Sequence, residues 1–469
     1  MSEQGIEELR IRNRAGQRDP IVDGKVLVGY GACLQDPQRR EGYLVIRDED
    51  RSGHVGIFGT TRIGKTRLME SVLEQDIRSH KSVVAIDPKG DIDLFSKVVQ
   101  VAAEAGRLDE VMLVTPIFPD YSNYLDPLAN YYMEDELVSH IVSGIKVKDD
   151  YYLSIASEVS QVIVSGLIKL ATSRGQVPTI SFNDVNQRVG YTELINFRDI
   201  LKVLNDTEEL CGLIDRVCHG PGIAEHFAKV SSSLRTMLSA LTFGNIGRII
   251  GKARTNEFIT RLEQGKRVIL VCHTGSLLSP RASLIFGRVF VSMIQSLVGR
   301  LFASGRQLDP PLCVHIDEGH NVLYPGIQEI FNKAGGANVW LHFYEQSGAQ
   351  MSAEIGADLA RSISDNINSW IYFRVNHAET AQSVEDASPL VQRPRSVVSV
   401  QGNVTLHLNE ERLVLRDRVL HLPKRCFYMR THGQWYKGKT LDSSASYVQV
   451  KFPTPAVNSP ISETPPSAA

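Results

Sequence analysis

At 469 residues the chain has length for about three domains, and a hydrophobic content of 42 % is enough for sizeable cores. A formal net charge of −2 excludes a global basic field, so any contact with nucleic acid has to be local, on one face or inside a channel. The six cysteines are scattered without a C-x-x-C pair, which is the usage of a reducing compartment and not of a disulfide scaffold.

Residues 1–24 are polar, with Arg10, Arg12, Arg14 and Arg18 among acids. They read as a mobile arm, either a plain solvated charge run or one that touches DNA or lipid. No charged-then-apolar leader opens the chain. No window of about 20 residues is free of charge, so no transmembrane segment is expected. Residues 25–30 and 43–47 have strand composition and lead to a third apolar run ending at Phe58.

Gly59-Thr60-Thr61-Arg62-Ile63-Gly64-Lys65-Thr66 then spells G-x-x-x-x-G-K-T, followed by Arg67 and a segment with Leu68, Met69, Val72, Leu73 and Ile77 on one helical face. A strand before and a helix after give the octet the context of a P-loop. Glycines let the loop curl so that its N–H groups face one point, where the positive end of the helix also aims. Lys65 is expected at the β- and γ-phosphates of ATP, and the Thr66 hydroxyl on Mg²⁺.

Residues 82–87 form a buried-strand run closed by Asp87-Pro88-Lys89-Gly90-Asp91. Asp87 and Lys89 either border the nucleotide at the carboxyl edge of a sheet or simply close a Pro/Gly turn. A helix over 92–105 and a strand over 111–115 follow. Between 126 and 250 strong β-runs are missing and helical spacing prevails, as at Leu153, Val159, Ile163, Leu167 and Leu170. A mainly helical domain inserted into an α/β unit is expected there. Cys211, Cys218 and His219 fit no common zinc-finger spacing, so no metal is expected on them.

Sheet character returns at 267–273. Residues 282–302 read as a core helix because Arg288 and Arg300 break its apolar run. Residues 312–316 precede Asp317-Glu318, the Walker B form: Asp317 as a metal-holding carboxylate and Glu318 as the residue that polarises the attacking water. A base at that place favours hydrolysis over transfer to a small molecule. Asp317-Glu318-Gly319-His320 also spells a helicase DExH box, but the distance from Lys65 is far too long, and no arginine-rich helicase element follows. The next run, 339–344, ends in Glu345-Gln346-Ser347, where Gln346 either senses the γ-phosphate or caps the turn. Arg374 lies within the apolar run 371–375, as an arginine finger for a neighbour's phosphate or as half of a structural ion pair. Arg62 could also point towards an adjacent subunit. A β-rich stretch over 396–450 and a Pro-rich, disordered tail over 451–469 close the chain.

Together, residues 59–67, 87–91, 317–326, 333–336 and 373–375 resemble the TraD/TraG-type conjugative coupling proteins, chiefly those of integrative and conjugative elements, within the FtsK/HerA class of P-loop ATPases. The resemblance runs from about residue 43 to 436. It implies an α/β fold: a RecA-like motor domain (25–125 and 251–450) with a mostly parallel central sheet, an inserted all-α domain (126–250) and a β-rich C-terminal segment. It implies a homo-hexamer around DNA, single-stranded in the channel, that delivers a relaxase-bound strand to a type IV secretion system, with relaxosome and secretion components as partners. By the same likeness Lys65, Thr66, Asp317, Glu318 and Gln346 carry the ATP and Mg²⁺ chemistry. Family members commonly begin with transmembrane helices, whereas none is read here, so a soluble variant, a remnant or a chain anchored by a separate subunit is expected, cytoplasmic or peripheral at the inner membrane through partners. The readings kept beside it are a HerA-like translocase in genome maintenance or defence, and a docking platform that binds nucleotide without hydrolysing it.

Overall fold

The computed structural model describes residues 24–146, 150–218, 227, 229, 231–252, 255–398 and 404–453. The expectations for the N-terminal arm, for His219 and for most of the tail lie outside them.

Short apolar runs that recur between helices cannot bury both faces except in a sheet covered on both sides. Here they form β3 (Val55–Phe58), β4 (Ser82–Asp87), β5 (Val111–Val114), β6 (Ile269–His273), β7 (Leu312–Ile316), β8 (Val339–Glu345) and β9 (Ser369–Tyr372). These seven pair in parallel in the order β9-β3-β8-β7-β4-β6-β5. Every residue of β3, β4, β6, β7, β8 and β9 is buried.

Four more strands complete an eleven-stranded sheet: β1 (Lys25–Cys33), β2 (Glu41–Arg47), β12 (Cys426–Thr431) and β13 (Gln434–Lys439), antiparallel at the β9 edge. Although β1 and β2 precede β3 in the chain, they sit at the far edge of the sheet, beyond β12 and β13. The β-rich C-terminal stretch is therefore partly an extension of the main sheet. Its other part, β10 (Leu390–Val398) paired with β11 (Val404–Arg412), is a separate hairpin, and residues 440–453 run extended without forming a strand.

The strands' alternation sends side chains to two cores. On one face α1 (Lys65–Arg78) buries Leu68, Met69, Val72, Leu73 and Ile77, and α2 (Ile92–Glu104) buries Leu94, Val98 and Val101, against Ile57, Val83 and Ala85. On the other face Phe58, Val84 and Ile86 meet the helical residues between β5 and β6, and α3 (Pro280–Ala303), which buries Ile285, Val289, Phe290 and Ile294. Among the described residues between β5 and β6 the only β-feature is the isolated bridge Leu125–Asn256. The apolar core of those helices is continuous with that face of the sheet.

Two helices, Tyr151–Ser173 and Pro280–Ala303, are long and apolar enough to cross a bilayer by length and composition. The second is mostly buried in the fold, as a core helix should be, and Arg300 within it is tied to Glu136 and Glu263. The first lays Val159, Val162 and Ile163 into the core.

Candidate nucleotide-binding site

The parallel strands deliver their carboxyl ends to one edge, and the candidate residues are the tips of neighbouring strands. After β3 the chain turns through Gly59–Gly64 into α1. Gly64 caps α1 at φ +127°, a conformation that side chains rarely adopt, and no side chain caps its first turn. The free N–H groups of α1 are thus left facing the loop. Gly59 is needed for space, since a Cβ there would come within 2.7 Å of Phe373. The loop is tied to the neighbouring strands: the Gly59 N–H donates to the Glu345 carbonyl at 3.1 Å and the Thr60 N–H to the Arg374 carbonyl at 2.8 Å. Lys65 folds back, its Nζ donating to the carbonyls of Gly59 and Thr60. Burial, the largest influence on Lys65, pulls its pKa below the usual lysine value against the attraction of Asp317 and Glu345.

At the tip of β7, two strands from β3, Asp317 is buried, and its backbone N–H donates to the Ile86 carbonyl at 3.0 Å. Glu318 follows in the left-handed region (φ 45°, ψ 55°) without being glycine. That conformation costs about 1–2 kcal/mol. It is held by the Glu318 N–H on Asp317 Oδ1 (3.0 Å) and by the Asn321 N–H on the Glu318 carbonyl (2.9 Å).

The turn after β4 contributes Lys89, whose Nζ lies 3.4 Å from Asp317 Oδ2 and 3.0 Å from Glu318 Oε1. Burial opposes its charge, but the two carboxylates outweigh it and raise its pKa. Asp87 does the other job open to this motif and closes the turn, accepting the N–H groups of Lys89 (3.0 Å) and Asp91. Burial pushes the Asp87 carboxyl up to about 6 against those bonds.

The tip of β8 adds a residue that the sequence did not single out. Glu345 is fully buried and accepts the His320 N–H at 2.7 Å, His320 Nδ1 at 2.9 Å and the Gln346 N–H at 2.6 Å. It thereby locks the turn after Glu318 to the strand carrying Gln346. Burial alone would lower the His320 pKa, but Glu345 overrides it and the net shift is upward.

Arg374 departs from expectation: β9 stops at Tyr372, and Arg374 is exposed between buried Phe373 and Val375. It needs no buried partner, because the chain has already left the sheet to accept the Thr60 N–H. Among the described residues its side chain makes no ion pair.

A cavity of about 520 Å³ gathers Thr60, Thr61, Arg62, Gly64, Lys65, Thr66 and Arg67 with Lys89, Asp317, Glu318, Gln346 and Lys424. Gly59 and Ile63 support the loop from behind it, and Arg374 does not line it. Five cationic side chains against two carboxylates suit a polyanion. The Thr66 hydroxyl and the Asp317 carboxylate open on the same cavity as hard oxygen donors of the kind Mg²⁺ takes. Among the described residues no larger His/Cys/Asp/Glu cluster exists. Two protein oxygens are enough for an ion that keeps waters and substrate phosphates in its shell. Lys424 could not be found from sequence, since it reaches the cavity only through the pairing of β12 with β9.

Residues 311–387, which span the tips of β7, β8 and β9, match the family model described as the TraM recognition site of TraD and TraG. Across 94 % of this chain and 94 % of the other, the structure matches the unbound form of the bacterial conjugative coupling protein TrwBdeltaN70, with a TM-score of 0.65 at 14 % identity. The fold is that of the TraD/TraG-type coupling proteins. The plasmid coupling protein TrwB in complex with ADP and Mg²⁺ matches at a TM-score of 0.63 and 15 % identity over 93 % of both chains. VirB4 of Thermoanaerobacter pseudethanolicus matches at 0.54 and 11 % identity, over 91 % of this chain and 99 % of that one. No curated protein matches the sequence. The coupling-protein fold thus spans nearly the whole chain, whereas the family model touches only its second half.

Proposed function

We propose that this chain is an ATP-hydrolysing DNA translocase that serves as a coupling protein in conjugative transfer, passing relaxase-bound DNA to a type IV secretion channel. The observation that carries the reading is the shared cavity: the P-loop, Lys65, Thr66, Asp317, Glu318 and Gln346 converge from the tips of β3, β7 and β8 on one space. Likeness to TrwB, solved with ADP and Mg²⁺ and with non-hydrolysable ATP and GTP analogues, supports both cofactors.

In this reading the loop N–H groups and Lys65 hold the β- and γ-phosphates. Thr66 and Asp317 would hold Mg²⁺, which would supply charge neutralisation at the phosphates. Glu318 orients a water and takes its proton, and Gln346 reports the γ-phosphate to the next strand. Lys89 holds Asp317 and Glu318 in place before nucleotide enters. Arg374, exposed beside the loop, is free to serve a neighbour in a homo-hexamer. The division into a motor domain and an inserted helical domain, the DNA channel, the relaxosome partners and a position at the inner membrane belong to the same proposal.

The test is phosphate release measured against protein concentration, with and without single- and double-stranded DNA. Turnover that rises faster than linearly with concentration and is stimulated by DNA, the more so at low salt, is the expected result. Nucleotide binding without phosphate release under any of these conditions would leave the docking platform as the better reading.

A further inference from the structure

Lys89 stands where the phosphate loop and the two carboxylates of β7 meet, yet it belongs to neither motif. Its backbone is fixed. Asp87 accepts the N–H groups of Lys89 and Asp91, and Gly90 turns the chain at φ +75°, where a Cβ would also come 2.8 Å from Ile117. Asp91 then caps α2, accepting the Asp93 N–H at 2.9 Å. The turn is thus tied at both ends. Because β4 pairs with β7 as far as Ile86 and Ile316, the turn lies beside Asp317, and Lys89 reaches over the end of β7.

An ammonium has three N–H donors and no acceptor. Two are engaged, by Asp317 Oδ2 at 3.4 Å and by Glu318 Oε1 at 3.0 Å. Among the described residues the third has no protein partner, and the side chain keeps 44 % of its surface exposed, so a ligand can reach it from the cavity it lines. Lys65, on the same cavity, is close enough to feel this charge: burial is the main cause of its lowered pKa, and Lys89 lowers it further. Two ammonium groups turned on one space repel each other, and an anion placed between them attracts both. Each carboxylate oxygen has two lone pairs, so Asp317 can accept Lys89 and still face Mg²⁺.

We propose that Lys89 is a second phosphate-binding lysine, whose third N–H is donated to the γ-phosphate while Asp317 and Glu318 hold the ammonium in place. The assignment rests on the nucleotide reading above, in which those two carboxylates mark the γ-phosphate end of the cavity. It adds a cation from outside both phosphate motifs, supplied by the chain itself and not by a neighbour. Its consequence is discrimination: Lys89 touches the triphosphate and not the diphosphate. The contact is a charge-assisted hydrogen bond, worth about 10-fold or more in affinity.

The test is calorimetric titration of the full chain with a non-hydrolysable ATP analogue and with ADP, each with Mg²⁺, beside the Lys89→Met and Lys89→Gln variants. Met removes donors and charge, whereas Gln keeps an N–H group for the carboxylates without the charge. Expected in both variants is a loss of about 10-fold or more for the analogue, with ADP affinity within about 3-fold of the unaltered chain. The retained ADP affinity reports an intact loop. Unchanged analogue affinity in either variant, or an equal loss for both nucleotides, overturns the assignment and leaves Lys89 a support of the carboxylates, since Asp317 serves the Mg²⁺ of either nucleotide. Binding of neither nucleotide by the unaltered chain overturns the nucleotide reading itself, and this assignment with it.

Discussion

The two halves of the eleven-stranded sheet are built on different rules. In the parallel half each strand is a short run, fully buried except for Val111 of β5, and its carboxyl end opens into a loop at one common edge. Gly59 to Thr66, Lys89, Asp317–Glu318 and Glu345–Gln346 all occupy that edge, from strands far apart in the chain. In the antiparallel half the strands are hairpin partners, β1 with β2 and β12 with β13, and only Lys424, Arg425 and the segment after β13 reach the P-loop. The candidate site residues are thus concentrated where strand direction is uniform, because parallel neighbours bring all their carboxyl ends to the same place. The antiparallel flank supplies walls.

The largest effect is expected at Arg374, which leaves the parallel half towards solvent. Arg374→Ala should lower DNA-stimulated turnover on the order of 1000-fold, as loss of an arginine finger does. Mixing it with Lys65→Ala should restore part of the rate, because each variant supplies what the other lacks. Mixtures no faster than their components would place the arginine outside the reaction.

Next comes Gly31 in β1, where a Cβ would come 2.1 Å from the Lys437 carbonyl oxygen of β13. Gly31→Ala should cost about 1–3 kcal/mol in urea denaturation. ATP affinity per folded molecule should stay unchanged, since neither β1 nor β13 lines the phosphate cavity. A large loss of affinity would tie the two halves together more tightly than their contacts suggest.

The smallest effect concerns His320, held by Glu345. Its pKa is raised in the folded chain above the ordinary 6.5, so the folded state binds the proton more tightly than the unfolded one. The stabilisation is therefore complete below about pH 6.5 and is lost as pH rises through the raised value. His320→Gln should flatten the fall in melting temperature over that window, and an unaltered slope would remove the pair from the account.

Much of the parallel half was legible in the sequence, because its signals are local. The octet 59–66 needs only its own glycines and lysine, and the Asp317–Glu318 tip only the apolar run before it. Lys89 could be placed at a strand tip but not over two carboxylates, since that depends on β4 lying beside β7. Glu345 does carry a signal in the sequence: a carboxylate ending a strand that is apolar except for His342 must find a donor, and His320 is an available one. The exposure of Arg374 is not legible, because Phe373 and Val375 look alike whether the chain continues as a strand or turns away. The left-handed Glu318 carries no glycine to announce it. The neighbours of β1 and β2 were illegible for a different reason: alternation identifies a strand but not the strand it pairs with.

In the proposed mechanism Glu318 acts on water while the loop and Lys65 hold the nucleotide. The most direct measurement is ATP retention and phosphate release by Glu318→Gln alongside the unaltered chain. The variant is expected to keep ATP bound and to release phosphate at least about 100-fold more slowly. Phosphate release by Glu318→Gln at the unaltered rate would contradict it.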